Sequence, residues 1–199
     1  MILFDYHTHN QASPAGRAVI NLPREVVEEP SAFLPRVGAL YSVGVHPWWT
    51  AGDCRALWHG VEQLAVHPQV VAIGETGFDR LRGGSLNEQE RWFALHAELA
   101  TTLGKRLILH VVRAYDVLLA WRKRFPLRET SPWLVHGFRG NPELARQLLD
   151  AGLELSIGAH FNADTLLMLQ PEQVKLETDD SGQPIEDICR KVRALRPDL

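Results

Sequence analysis

Eight short apolar runs divide this chain, and they constrain its fold more than any other feature. They lie near residues 2–4, 17–22, 39–45, 70–73, 107–109, 133–135, 153–157 and 174–176. Most are continuously apolar, without the alternation of a strand that has one wet face. Runs of this kind mark strands buried on both sides, as in a parallel sheet covered by helices. Helical spacing fills the intervals near 53–67, 87–103, 114–125, 141–151 and 185–195, with Trp92, Phe93, Leu95, Leu99 and Leu103 forming one such stripe. Asp53 and Asn141 are expected N-caps. The segment between the first two runs is rich in Asn, Ser, Pro and Gly, and it is too short for an ordinary crossover helix. Either the first helix is reduced to a loop or the second strand is misplaced. Residues 23–38 carry three prolines and leave room for one short helix. The expectation is an α/β fold: a compact, somewhat shortened TIM-type (β/α)8 barrel, with residues 1–199 as a single domain. A doubly wound open sheet is the alternative.

Chemistry gathers where those runs end. His7 and His9 follow the first, His46 the third, Glu75 the fourth, His110 the fifth, His136 the sixth and Asp179 the eighth. In an extended backbone residues i and i+2 share a face, so His7 and His9 can converge. A His-x-His pair alone is more often two polar residues in a turn. Imidazoles and carboxylates at so many strand ends form a cluster, because in a barrel those ends surround one mouth. Four histidines and two carboxylates exceed the needs of one tetrahedral ion. They suit two divalent ions sharing a bridging carboxylate. Mixed nitrogen and oxygen donors without thiolate favour Zn, Mn or Mg.

The 199 residues suffice for a sizeable core, and 45% hydrophobic with 23% charged residues is ordinary for a soluble protein. A net charge of −3 gives no general basic footprint for duplex nucleic acid, but it leaves room for a site taking one phosphate. Cys54 and Cys189 lack a C-x-x-C pattern and are expected to be reduced thiols. No basic-then-apolar leader or bilayer-length run is evident, so a cytoplasmic protein without membrane contact is expected.

The motifs Asp5-Tyr-His-Thr-His9, Gly44-Val-His46-Pro47, Ile73-Gly-Glu75-Thr-Gly-Phe-Asp79, His136-Gly-Phe-Arg-Gly140, Leu155-Ser-Ile-Gly158 and Glu177-Thr-Asp179 occur in this order. Together they resemble the successive motifs of the TatD family of metal-dependent deoxyribonucleases, within the amidohydrolase superfamily. The resemblance runs from residue 5 to about 180. It implies a β/α barrel with a two-metal centre that hydrolyses phosphodiesters in DNA. It places His7, His9 and Asp179 on one metal, His110 and His136 on the other, and Glu75 between them. Asp179 and Glu75 would be the catalytic carboxylates, Asp179 accepting a proton from the attacking water. Arg113 and Arg139 would hold a nonbridging phosphate oxygen, and His46 would contact substrate. The implied partner is DNA or a small phosphodiester, and a monomer is expected.

Several positions depart from the family pattern. The family's His-x-Arg is here His110-Val-Val-Arg113, with the arginine displaced by one. Asn10-Gln11 stand where an acid is usual, and Asp180-Ser181-Gly182 lack the usual proline. The loop after the first strand and the C-terminal segment are shorter than is usual. Two other readings stand beside the nuclease: an amidohydrolase-type C–N or ester hydrolase of a small molecule, and a noncatalytic metal-binding homologue. His59, His67 and His96 are read as surface or helix-cap residues, and His160 as a lesser candidate for the rim. Trp48 and Trp49 are expected to pack against a neighbouring helix, the alternative being an exposed wall beside the mouth. Arg122-Lys123-Arg124 is read as a solvated helix face.

Overall fold

The computed structural model describes residues 3–125 and 130–199. Eight parallel strands close into a barrel in sequence order. They are β1 (Asp5–Thr8), β2 (Ala18–Asn21), β3 (Leu40–Val43), β4 (Val70–Asp79), β5 (Arg106–Val112), β6 (Trp133–Val135), β7 (Glu154–Ile157) and β8 (Lys175–Leu176). The open-sheet alternative is excluded: Asp5 pairs with Leu176, and a bridge between Thr8 and Asp179 extends the β1–β8 seam. Seven helices are described: α1 (Arg24–Glu28), α2 (Arg55–Ala65), α3 (Leu86–Leu103), α4 (Tyr115–Arg124), α5 (Pro142–Asp150), α6 (Ala163–Met168) and α7 (Ile185–Leu195).

Most boundaries follow from local chemistry. Ser85 and Glu88 form a reciprocal capping box at the start of α3, and Gly104, at φ 61°, ends it in the left-handed region that favours glycine. Asn141 caps α5 as expected, its Oδ1 accepting the Leu144 N–H at 2.9 Å, with Pro142 at the first helical position. No helix joins β1 to β2, so the first crossover is reduced to a loop and the second strand is real.

Other elements depart from the sequence reading. The first strand starts three residues later than expected, and Ile2 lies outside the described residues. Helix α2 begins at Arg55, with Cys54 as N-cap; Asp53 instead accepts the Arg55 N–H from one position further out. Strands β4 and β5 run on past their apolar runs, so Glu75 and His110 lie within strands, not after them. Helix α6 was not anticipated; six residues are too few for a clear period.

The packing separates two faces of the sheet. Leu107, Leu109 and Val111 of β5 join the large core between barrel and helices, while Ile108 packs inside with Val19 and Ala72. By the same two-residue period His110 points inward. Tyr41, Val43 and Val45 likewise face the helices and place His46 inside; Trp133 and Val135 do so for His136.

Besides a slip between β3 and β4 at Tyr41–Ser42, two slips of register lie at the site and break this rule. On β4, Ile73 pairs with Leu107 but Thr76 pairs with Leu109, so three steps on one strand match two on the other. The extra residue lets Glu75 face inward, although simple alternation would put it on the same side as Ile73. On β1, Asp5 pairs with Ala18 and Thr8 with Ile20, a slip of the same kind around His7. Gly74 makes the first slip possible. Its φ is 137°, and a Cβ there would lie 2.4 Å from the Ile108 carbonyl oxygen.

Candidate metal centre

Glu75 is the hub of the barrel mouth. It is buried, and its two carboxylate oxygens face different sets of imidazoles. Oε1 lies 2.9 Å from His9 Nε2 and 3.3 Å from His7 Nε2. Oε2 lies 2.8 Å from His136 Nε2, 3.5 Å from His46 Nε2 and 3.7 Å from His110 Nδ1. Asp179 Oδ1 closes the first side, 3.5 Å from His9 and 3.7 Å from His7. The Asp179 backbone is held against β1: its N–H donates to the His7 carbonyl, and its own carbonyl accepts from His9 N–H. The structure therefore brings together His7, His9, His46, Glu75, His110, His136 and Asp179.

The donor chemistry fits divalent cations. His7 Nδ1 and Nε2, Glu75 Oε1, His136 Nδ1 and Nε2, and Glu177 Oε1 are buried without an aligned hydrogen bond. Each unpaired buried polar atom costs about 1–3 kcal/mol, so a concentration of them at one point calls for a ligand. Donor atoms within 4.8 Å of one another form the sets His7–His9–Asp179, His7–Glu75–His136, His46–Glu75–His110 and His136–Glu177–Asp179.

Hydrogen bonding separates His46 from the other imidazoles. Its Nδ1 accepts the Trp48 backbone N–H at 3.1 Å, so in the neutral ring the proton sits on Nε2, and that nitrogen has no lone pair to give. Burial lowers its pKa, outweighing the pull of Glu75 and keeping the ring neutral. His46 can therefore sit among a donor set by distance and still serve as an N–H donor. His110 is held the other way. Its Nε2 lies 3.2 Å from Asp79 Oδ2, which leaves Nδ1 free toward Glu75. His136 turns Nδ1 toward Glu177 Oε1 at 3.5 Å and Nε2 toward Glu75.

The charges are strongly coupled. Burial pushes the Glu75 carboxyl up, but His7 and His136 outweigh it and hold the group well below the ordinary range. Burial disfavours charged His136, yet Glu75 and Glu177 raise its pKa well above that of a free imidazole. His9 is raised too, with burial outweighed first by Glu75 and then by Asp179.

Two acids escaped the sequence reading. Asp79 orients His110 and also accepts the Trp48 Nε1–H at 2.6 Å; Glu177 is fully buried beside His136 and accepts the Ser156 hydroxyl. Asp79 closes one motif already noted and Glu177 opens another, and the cue was that a liganding imidazole commonly donates its second N–H to a carboxylate. Two aromatic and imidazole readings also change. Trp48 does not pack under a helix but stands 43% exposed at the mouth, while Trp49 is half-buried against the core. His96 is no surface residue: it is wholly buried in α3.

Arg113 and Arg139 are exposed and line the mouth cavity of about 950 Å³, together with His9, His46, Trp48, Glu75, His110, His136 and Asp179. Arg113 sits at φ 51°, and its carbonyl accepts from Arg80, itself paired with Asp116 at 2.7 Å. His160 edges a small adjoining cavity with Asp179 and Glu177. Cys54 and Cys189 are free thiols away from the mouth. Arg122, Lys123 and Arg124 occupy the last turn of α4, where cations favour the helix dipole. Among the described residues no helix is long and apolar enough to cross a membrane.

The sequence profile described as TatD related DNase matches residues 34–186. The chain belongs to this family. The TatD-related chain is 37% identical over 125 residues to the 3'-5' ssDNA/RNA exonuclease TatD of Musicola paradisiaca, covering 58% of this chain and 44% of that protein. It is 33% identical over 154 residues to the uncharacterized metal-dependent hydrolase TatD of Mycobacterium tuberculosis, covering 69% and 56%. The chain thus spans about half the length of these curated relatives. Among solved structures, the TatD homologue YjjV from Escherichia coli superposes with a TM-score of 0.78 at 22% identity, covering 98% of this chain and 91% of that one. That likeness supports the TIM-type barrel.

Proposed function

We propose that this TatD-related chain is a divalent-metal-dependent hydrolase of phosphodiesters, with single-stranded DNA as the leading substrate. The observation that carries it is the two-sided environment of Glu75: one carboxylate oxygen faces His7 and His9, the other faces His110 and His136. Such a carboxylate can bridge two cations. His7, His9 and Asp179 would hold one, and His110 and His136 the other. Bound ions of this kind supply a hydroxide nucleophile at neutral pH and offset charge on the phosphoryl oxygens.

The chain's own groups have distinct tasks. Asp179 lies at the rim of the donor set and accepts the proton of the attacking water. Arg113 and Arg139 bind nonbridging phosphate oxygens through their planar guanidiniums. His46, with its proton on Nε2, donates a hydrogen bond to substrate in the same cavity. Asp79 holds the second nitrogen of His110 and so fixes which nitrogen of that ring faces the mouth, while Glu177 lies beside the second nitrogen of His136.

The test is cleavage of a short single-stranded oligonucleotide and of bis-p-nitrophenyl phosphate by purified protein supplied with Mg or Mn. Activity should require added metal and be lost in both Glu75→Gln and Asp179→Asn. A fully active Glu75→Gln protein would overturn the proposal. Turnover confined to amide or carboxylic ester substrates would transfer the site to small-molecule hydrolysis.

A further inference from the structure

Trp48 is the one large aromatic side chain left widely exposed among the described residues, and it stands at the mouth. Its place is well defined. The 3₁₀ turn Pro47–Trp49 projects it immediately after His46, and its Nε1–H is tied to Asp79 Oδ2 at 2.6 Å. Asp79 in turn takes the Leu81 and Arg82 backbone N–H groups at 2.7 and 3.2 Å, so the β4–α3 loop braces the indole. The His46 and His110 rings approach it with centroids 4.7 and 5.5 Å away. The Arg82 guanidinium lies over its ring at 4.6 Å, and no carboxylate pairs with that arginine among the described ion pairs. An indole so held, exposed beside a phosphate-sized centre and already carrying a delocalised cation, is prepared to receive a planar ring.

We propose that Trp48 is the stacking platform for one nucleobase of the substrate, a specificity-determining residue for the site described above. The inference rests on the phosphodiesterase reading and deepens it. The platform sits on the His46–His110 side of the mouth, so a base resting there places its adjoining phosphate toward Glu75, Arg113 and Arg139. Arg82, on an exposed loop, yields its place over the ring to the base or closes over it. A single platform selects one nucleotide unit: the other tryptophans give no continuous track. Trp49 also lines the mouth but is half-buried against the core, Trp133 is buried, Trp58 and Trp92 pack between helices α2 and α3, and Trp121 packs on Phe93. The chain would therefore engage one base next to the scissile bond and show little preference for which base it is, since every base offers a π-face.

Binding tests this without turnover. Metal-loaded wild type, Trp48→Phe and Trp48→Leu proteins are titrated by calorimetry with deoxyadenosine monophosphate and with deoxyribose 5-phosphate. Base–aromatic stacking is worth about 1–3 kcal/mol, so wild type should bind the nucleotide roughly tenfold more tightly than the sugar phosphate. Trp48→Leu should abolish that preference while leaving sugar-phosphate affinity within about twofold, and Trp48→Phe should keep most of it. Equal affinity of wild type for the two ligands overturns the proposal. So does a Trp48→Leu protein that weakens both ligands alike, because that outcome assigns Trp48 to the Asp79–His110 scaffold alone. Oligonucleotide cleavage by the same wild-type protein is scored separately. A base preference without cleavage would fail the nuclease reading and keep the platform.

Discussion

His96 offers a direct test of how the scaffold supports the mouth. The ring is wholly buried in α3, and it ties that helix to the end of β3 next to His46. Its Nε2 accepts the Val45 N–H at 2.8 Å, and its Nδ1–H donates to the Trp92 carbonyl at 2.7 Å. Both nitrogens are therefore committed in the neutral form, and a second ring proton would have to displace the Val45 bond. Burial drives the pKa down to about 4 from an ordinary 6.5, against a smaller opposing pull from Trp92. The sign follows from proton binding: between these values the unfolded chain takes up more protons than the folded one. Stability from this group is complete above pH 6.5 and is lost as pH falls toward 4. A difference of 2.5 units corresponds to about 3 kcal/mol in full, and roughly 2 kcal/mol of it is gone at pH 5. Urea unfolding of wild type and His96→Gln, each at pH 7.5 and pH 5, measures it. The variant should be weaker at pH 7.5 by about 1–3 kcal/mol through imperfect pairing of Val45. The gap between the two proteins should shrink by about 2 kcal/mol at pH 5. Taking the gap cancels every other titrating group. A gap that does not change with pH would refute the assignment of a buried neutral ring.

Three further outcomes are expected. Asp79→Asn should weaken Mn or Zn binding by about 10–100-fold in calorimetry with little change in melting temperature, because His110 loses the carboxylate that fixes its tautomer; unchanged affinity would free Asp79 of that role. Gly77→Ala should lower the melting temperature by more than about 8 °C, since its Cβ would meet the His110 carbonyl oxygen at 2.2 Å on a backbone with φ 134°; a shift within about 2 °C would show that the strand relaxes freely. Arg80→Ala should leave the melting temperature nearly unchanged, because its pair with Asp116 is exposed, yet raise KM for a phosphodiester by loosening the Arg113 loop; a lower melting temperature with KM unchanged would contradict this.

The amino-acid order by itself determined a good deal about this protein. Continuous apolar runs separated by helical periods dictated parallel strands under helices, and Asn141 announced a helix start. Three site residues also follow from the chain alone. His46, His110 and His136 each stand one residue beyond a core-facing position, and a strict two-residue period turns them inward. Only the tertiary structure decided the position of His7 and Glu75. Each sits at a register slip, and a slip is a property of two strands paired together, invisible in either alone. The same holds for Asp79, Glu177, Trp48 and His96. Their residue types suited a loop or a surface equally well, and what set them apart was a hydrogen-bonding partner at a distant point in the chain. Local pattern chooses the element and the face; partnership across the closed sheet chooses which polar groups meet at its mouth.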